Sequence, residues 1–120
     1  MSFRIEVDVE HRLVRICHEG EMGLEEMLRG RSEVGALLQR HGYQRVLVDA
    51  RDIEEGPDIL SAFEVSSTHR TDLPLRVRLA LLVNPQLESN ARFGENVANN
   101  RGFQVRVFLD EAPAIAWLTE

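Results

Sequence analysis

Two short apolar runs constrain this chain more than anything else in it. RVRLALLV at residues 76–83 is its most apolar segment, and RVLVDA at residues 45–50 carries the run VLV between Arg45 and Asp49. Runs this short and this continuous suit strands buried on both faces, the condition of a parallel sheet covered by helices. What flanks them has to supply those helices, and its periodicity does.

Leu24, Met27, Leu28, Val34, Leu37 and Leu38 recur at helical spacing between Gly23 and Gly42, which predicts an amphipathic helix of about four turns. Pro57 suits the first turn of a second helix over 57–70, with Leu60, Phe63 and Ser67 facing inward. Asn84-Pro85 supplies a cap and a first-turn proline for a third, carrying Leu87, Ala91, Val97 and Ala98 and closed by Gly102. QVRVFL then predicts a strand ending at Asp110, which caps a last helix in EAPAIAWLTE. At the other end FRIEVDV and RLVRICH alternate apolar and polar residues about the turn Glu10-His11, the pattern of an antiparallel hairpin. The expected order is ββαβαβαβα. It describes an α/β fold in one domain over residues 1–120: a single-layer mixed, mostly parallel sheet of about five strands, an N-terminal antiparallel hairpin and four helices.

With 120 residues there is room for one core and not for two independent ones. The 20 acidic residues outnumber 14 basic ones, all arginine, for a net charge of −6, which argues against a nucleic-acid-binding surface. No apolar run approaches the roughly 20 residues of a membrane helix. MSFRIEVDVE alternates instead of following a basic segment with an apolar one, so it does not read as a secretory leader, and a cytoplasmic address is expected. The lone cysteine, Cys17, excludes an intramolecular disulfide and a multi-cysteine zinc site.

Asp49 and Asp52 are the first candidates for chemistry, because ligand crevices of open parallel sheets lie at the carboxyl ends of strands. Two carboxylates there can hold a metal or divide acid and base work. No phosphate-cradling glycine loop or strand-end nucleophile accompanies them, and an aspartate at a strand end commonly accepts hydrogen bonds from the following turn, so the structural reading is favoured. His11, His18, His41 and His69 form no metal-ligand spacing. Neighbours on a strand, Cys17 and His18 point to opposite faces, which leaves Cys17 as a small inward hydrophobe and His41 as a complement to a helix dipole. Ser61, Ser66, Ser67 and Thr68 lack a nucleophile elbow and read as ordinary helix residues. Arg76, Arg78 and Arg106 can form a small anion-binding face, though such residues more often solvate an edge strand. Trp117 is expected to dock the last helix on the sheet.

The opening FRIEVDVEHRLVRICHEGEM, the segment RVLVDARDIEE and the closing RGFQVRVFLDEAPAIAWL together resemble SpoIIAA-like members of the STAS superfamily, the sulfate transporter and anti-sigma factor antagonist domains. The likeness covers nearly the whole length, by pattern more than by rare motif. In the anti-sigma antagonists a strand ending in a hydrophobic residue and Asp leads through a loop to an Asp-Ser segment, whose serine a partner kinase phosphorylates. Val48-Asp49 matches the strand end and Asp52-Ile53 the turn, but Glu55-Gly56-Pro57-Asp58-Ile59-Leu60 offers no serine, and Ser61 comes about one turn late. Asp58 already places a negative charge where phosphoserine would act on the helix dipole. The resemblance therefore implies a non-catalytic module that binds an unidentified protein through Asp49, Arg51, Asp52, Gly56, Pro57, Asp58 and Ser61. No catalytic residue, metal or cofactor is expected. Two-fold self-association suits a small domain with apolar edges. The alternative is a binder of a small apolar or anionic ligand, since SpoIIAA-like folds are similar to the lipid-carrying CRAL-TRIO domains; its pocket would be lined by Phe63, Phe93, Leu87 and Trp117.

Overall fold

A computed structural model describes residues 3–21, 24–55, 76–100 and 102–120. The helix expected over 57–70 lies outside the described residues, as do Gly56, Pro57, Asp58 and Ser61 of the expected interaction loop. The remaining elements follow the expected order. Strand β1 (Phe3–Asp8) pairs antiparallel with β2 (Leu13–Glu21). Their turn is longer than two residues because Asp8 draws in His11: its carboxylate accepts from the His11 N–H at 3.0 Å and lies 2.8 Å from the ring Nδ1. Arg12 closes the turn at φ 54°, donating its N–H to the Val9 carbonyl at 3.3 Å.

Helix α1 (Leu24–His41) carries Glu25 and Glu26 in its first turn and Arg40 and His41 in its last, the polarity its dipole favours. Gly42 ends it in the left-handed region at φ 71°, with its N–H on the Leu38 carbonyl at 2.8 Å. Then come β3 (Arg45–Glu55) and β4 (Arg78–Val83). After β4 the Asn84 side chain caps a single 3-10 turn, Pro85–Leu87, by accepting from the N–H groups of Gln86 and Leu87 at 2.9 and 3.2 Å. The turn runs into α2 (Glu88–Asn100), and β5 (Gln104–Phe108) and α3 (Glu111–Leu118) complete the chain. Asp110 precedes α3 in extended conformation, but its carboxylate makes no capping hydrogen bond, against expectation.

The five strands lie in sequential order, β1-β2-β3-β4-β5, with β2 to β5 parallel. Sequential parallel neighbours joined in one hand place their crossover helices on one side, and the core agrees. Val14, Ile16, Val46, Leu79 and Val105 point to the face where Val34 and Leu38 of α1 and Ala98 of α2 are buried. The alternate residues, Leu13, Leu47, Ala80 and Leu82, point to the other face and meet Ala114 and Leu118 of α3. Each inner strand thus buries both its sides, as the two apolar runs require.

Two expectations about strands need correction. Arg78 does not solvate an edge strand, because β4 lies between β3 and β5. β3 continues to Glu55, so Asp49 sits inside the strand and not at its end. The cause is β2, which also runs on and pairs Glu19 with Asp52, Gly20 with Ile53 and Glu21 with Glu55 through register shifts. A ladder uses backbone groups, so polar side chains do not end it when a partner strand is present. No helix among the described residues is long and apolar enough to cross a membrane.

Candidate functional site

Alternation along β2 puts Arg15 in phase with Leu13 and Cys17, and along β3 it puts Asp49 and Arg51 in phase with Leu47. All of these belong to the face that α3 covers. An eight-residue helix is about 12 Å long, so α3 shields only part of that face. Beyond its N-terminus the face turns from apolar to charged.

Four side chains meet there. Arg51 clasps Asp49 in a fork, Nε to Oδ1 at 3.0 Å and Nη2 to Oδ2 at 2.9 Å, and its own N–H adds a bond to Oδ1 at 3.2 Å. Arg15 reaches the same carboxylate at 3.4 Å and also donates to Glu111, the first residue of α3. Arg51 lies 3.7 Å from the Glu111 carboxylate, which closes the ring of charges. The Arg51 carbonyl accepts from Asn84 Nδ2 at 3.4 Å, which ties the strand to the cap of the next helical segment.

Two cations face two anions, and their effects on one another have clear signs. Burial pushes the Asp49 carboxyl up, but the hydrogen bonds and charge of Arg51, aided by the charge of Arg15, outweigh it and hold the group below its ordinary value. Arg15 is raised chiefly by its bond to Glu111, and Arg51 chiefly by its bond to Asp49. A carboxylate so clasped is a weak base, since guanidinium protons take the lone pairs that a substrate proton would need. What the arrangement can do is anchor α3 and present a neutralised charge cluster where β2 and β3 run past the N-terminus of α3.

The structure does not join Asp49 and Asp52 into an acid pair. Three residues apart on an extended strand, they are separated by roughly 10 Å, and the register inserts an extra β3 residue between them. Asp52 is exposed, while the Asp49 side chain is only 13% exposed. Among the described residues the strand order also lacks a reversal point between parallel strands, the place where such sheets form ligand crevices. Arg15 and Glu111 were not singled out as site residues from sequence. No local signal joins them to Asp49: Arg15 shares the phase of Leu13 and Cys17 on β2, and Glu111 opens α3.

Other candidates separate cleanly. Cys17 and His18 are both buried, and they point to opposite faces as expected. The His18 ring meets Phe3 edge-on at 5.8 Å, and its Nδ1 has no hydrogen-bond partner. Desolvation alone lowers its pKa to about 4. His41 is exposed and stacks on Tyr43 at 5.3 Å. Trp117 docks α3 on the sheet as expected: it packs near Phe108, its carbonyl accepts from Arg78 at 2.7 Å, and the Arg78 guanidinium lies 5.3 Å from its ring centre. Leu87 packs with Val83, Val107 and Ala91 on the face of α1 and α2. It lies across the sheet from Trp117, so these two residues do not line one ligand pocket. Of the other two residues expected there, Phe93 is exposed on α2 and Phe63 lies outside the described residues. No family model matches the sequence, and no curated protein matches it either.

Proposed function

We propose that this chain is a non-catalytic protein-interaction module of the STAS, SpoIIAA-like kind. It engages its partner through the outer end of β3 and the loop after it, and it is not controlled by a phosphoserine at that loop. The observation that carries the reading is the state of Asp49. Its two carboxylate oxygens are occupied by Arg51 and Arg15 and its pKa is lowered, which suits a fixed scaffold and not a proton carrier. The sheet order of an antiparallel strand followed by sequential parallel strands is compatible with the resemblance, and the sequence 55–60 offers no hydroxyl for a kinase.

Capture of partners from native lysate, followed by titration of the captured protein, tests the surface. Asp52→Arg at the exposed end of β3 is expected to weaken binding at least tenfold, roughly the effect of turning one rim charge pair from attraction to repulsion, whereas Arg106→Glu on β5 leaves it unchanged. Equal binding by both variants refutes the assigned surface. Stoichiometric phosphate found between residues 55 and 68 after incubation with a cognate-type kinase and ATP refutes the absence of a switch.

A further inference from the structure

The two edges of the sheet are treated differently. At the β5 edge, α2 supplies side chains to the outward backbone. Asn99 mimics a neighbouring strand, accepting from the Val105 N–H at 3.0 Å and donating to the Val105 carbonyl at 3.1 Å. Glu95 accepts from the Val107 N–H at 2.6 Å. Groups that would pair with another chain are thereby occupied, a recognised way of closing an edge. β1 forms the opposite edge, and no described strand lies beyond it.

The β1 edge also has a self-complementary sequence. Phe3-Arg4-Ile5-Glu6-Val7 reads apolar, positive, apolar, negative, apolar. Two copies related by a two-fold axis perpendicular to the sheet pair antiparallel and keep their faces aligned. With Ile5 opposite its own copy, Arg4 meets Glu6 of the partner twice and Phe3 meets Val7 twice. Shifting the axis to Arg4 or to Glu6 sets like charges opposite each other, so the pattern selects one register. The side chains are placed for it: Arg4 and Glu6 are 65% and 62% exposed, Ile5 and Val7 are half-buried, and Ile5 packs against the core.

We infer that the chain forms a two-fold homodimer by antiparallel pairing of β1 with β1 of a second copy, centred on Ile5, which extends the five-stranded sheet to ten strands. The pairing adds main-chain hydrogen bonds along the outward edge of β1 and joins the α1 faces of both copies into one apolar margin. It is isologous, so it closes at two copies and leaves the guarded β5 edges outward. This contact is separate from the loop after β3 and stands whether or not that loop binds a partner.

Sedimentation of the full chain, up to concentrations of about 1 mM to reach a small edge-to-edge interface, gives the first readout: a reversible monomer–dimer equilibrium. Arg4→Glu and Glu6→Arg each set like charges opposite at both symmetry-related pairs, and each is expected to weaken association roughly tenfold or more. An equimolar mixture of the two variants restores a dimer, because both glutamates of one variant then face arginines of the other across the axis. Combining the two substitutions in one chain restores a homodimer. A monomeric wild type, single variants that dimerise like wild type, or a mixture that fails to associate overturns the inference. Should a single variant fail to fold by circular dichroism, amide exchange on the unaltered chain decides: β1 amides gain protection with concentration while those of β5 do not, and the absence of that gain overturns it equally.

Discussion

His18 makes the stability of this protein depend on pH in a way that can be worked from its surroundings. The ring is 6% exposed, sits edge-on to Phe3, has an unpartnered Nδ1, and has its Cε1 3.7 Å from the point where a side chain on Gly30 would begin. Charging it there means burying a cation whose Nδ1 makes no hydrogen bond among the described residues, and this desolvation lowers its pKa from 6.5 to about 4. A depressed histidine binds fewer protons folded than unfolded between those two values. Its stabilising effect is therefore full above 6.5 and is lost as pH falls toward 4. The whole interval corresponds to roughly 3 kcal/mol, of which about 2 kcal/mol is lost between about pH 7.5 and about pH 5.

Urea unfolding of wild type and His18→Leu at those two pH values isolates this contribution. Other titrating groups are common to both proteins and cancel in the difference. They include His11, raised mainly by its hydrogen bond to Asp8, which favours folding below its raised pKa, and Asp8 and Asp49, both lowered, which favour folding until pH falls through the carboxylate range. Wild type is expected to lose about 2 kcal/mol more than His18→Leu on acidification. Equal losses, or a His18 proton resonance that titrates near its ordinary value, refute the reasoning, because either means that water or a hydrogen-bond partner reaches the ring.

Two further outcomes follow from single contacts. Gly30 lies inside α1, where alanine would gain about 1 kcal/mol of helix propensity, but its Cβ would stand 2.8 Å from Ile16 Cδ1 in the core. The overlap costs about 1–3 kcal/mol, so Gly30→Ala should be neutral to destabilising by about 2 kcal/mol in urea unfolding. Ile16→Val, which removes that methyl, should then cost less in the Gly30→Ala background than alone; strict additivity would count against the contact. Asn99→Ala strips the Val105 N–H and carbonyl of their partners, which should cost about 1–2 kcal/mol and, through the opened β5 edge, cause concentration-dependent association visible by light scattering.

The local grammar of this chain was legible. Gly42 and Asn84 end and begin helical segments as their residue types require, and Leu47 and Leu82 are fully buried inside the continuous apolar runs that predict strands covered on both faces. The end of β3 was not legible, because DARDIEE has the composition of a turn and becomes strand through backbone pairing with an extended β2. Asp110 shows the converse. It has the residue type and backbone of a cap, but its carboxylate does not make the bond.

The candidate site divides along the same line. Asp49 and Arg51 were selected from sequence as residues of one strand end and its loop; that both lie on one strand, whose pleat puts residues two apart on one side, came from the extended pairing of β3. Arg15 and Glu111 could not be selected with them: Arg15 is 34 residues from Asp49 and 96 from Glu111. Among the described residues, the sequence by itself determined where the helices and most of the strand residues lie, since those follow from 3.6- and 2-residue periods carried in the local chain. Only the tertiary structure decided that α3 lies on the face opposite α1 and α2, and that its first residue lands beside Arg15. Those outcomes depend on which apolar surface remains uncovered once the other helices have docked, a balance of burial summed over the whole sheet that no local pattern contains.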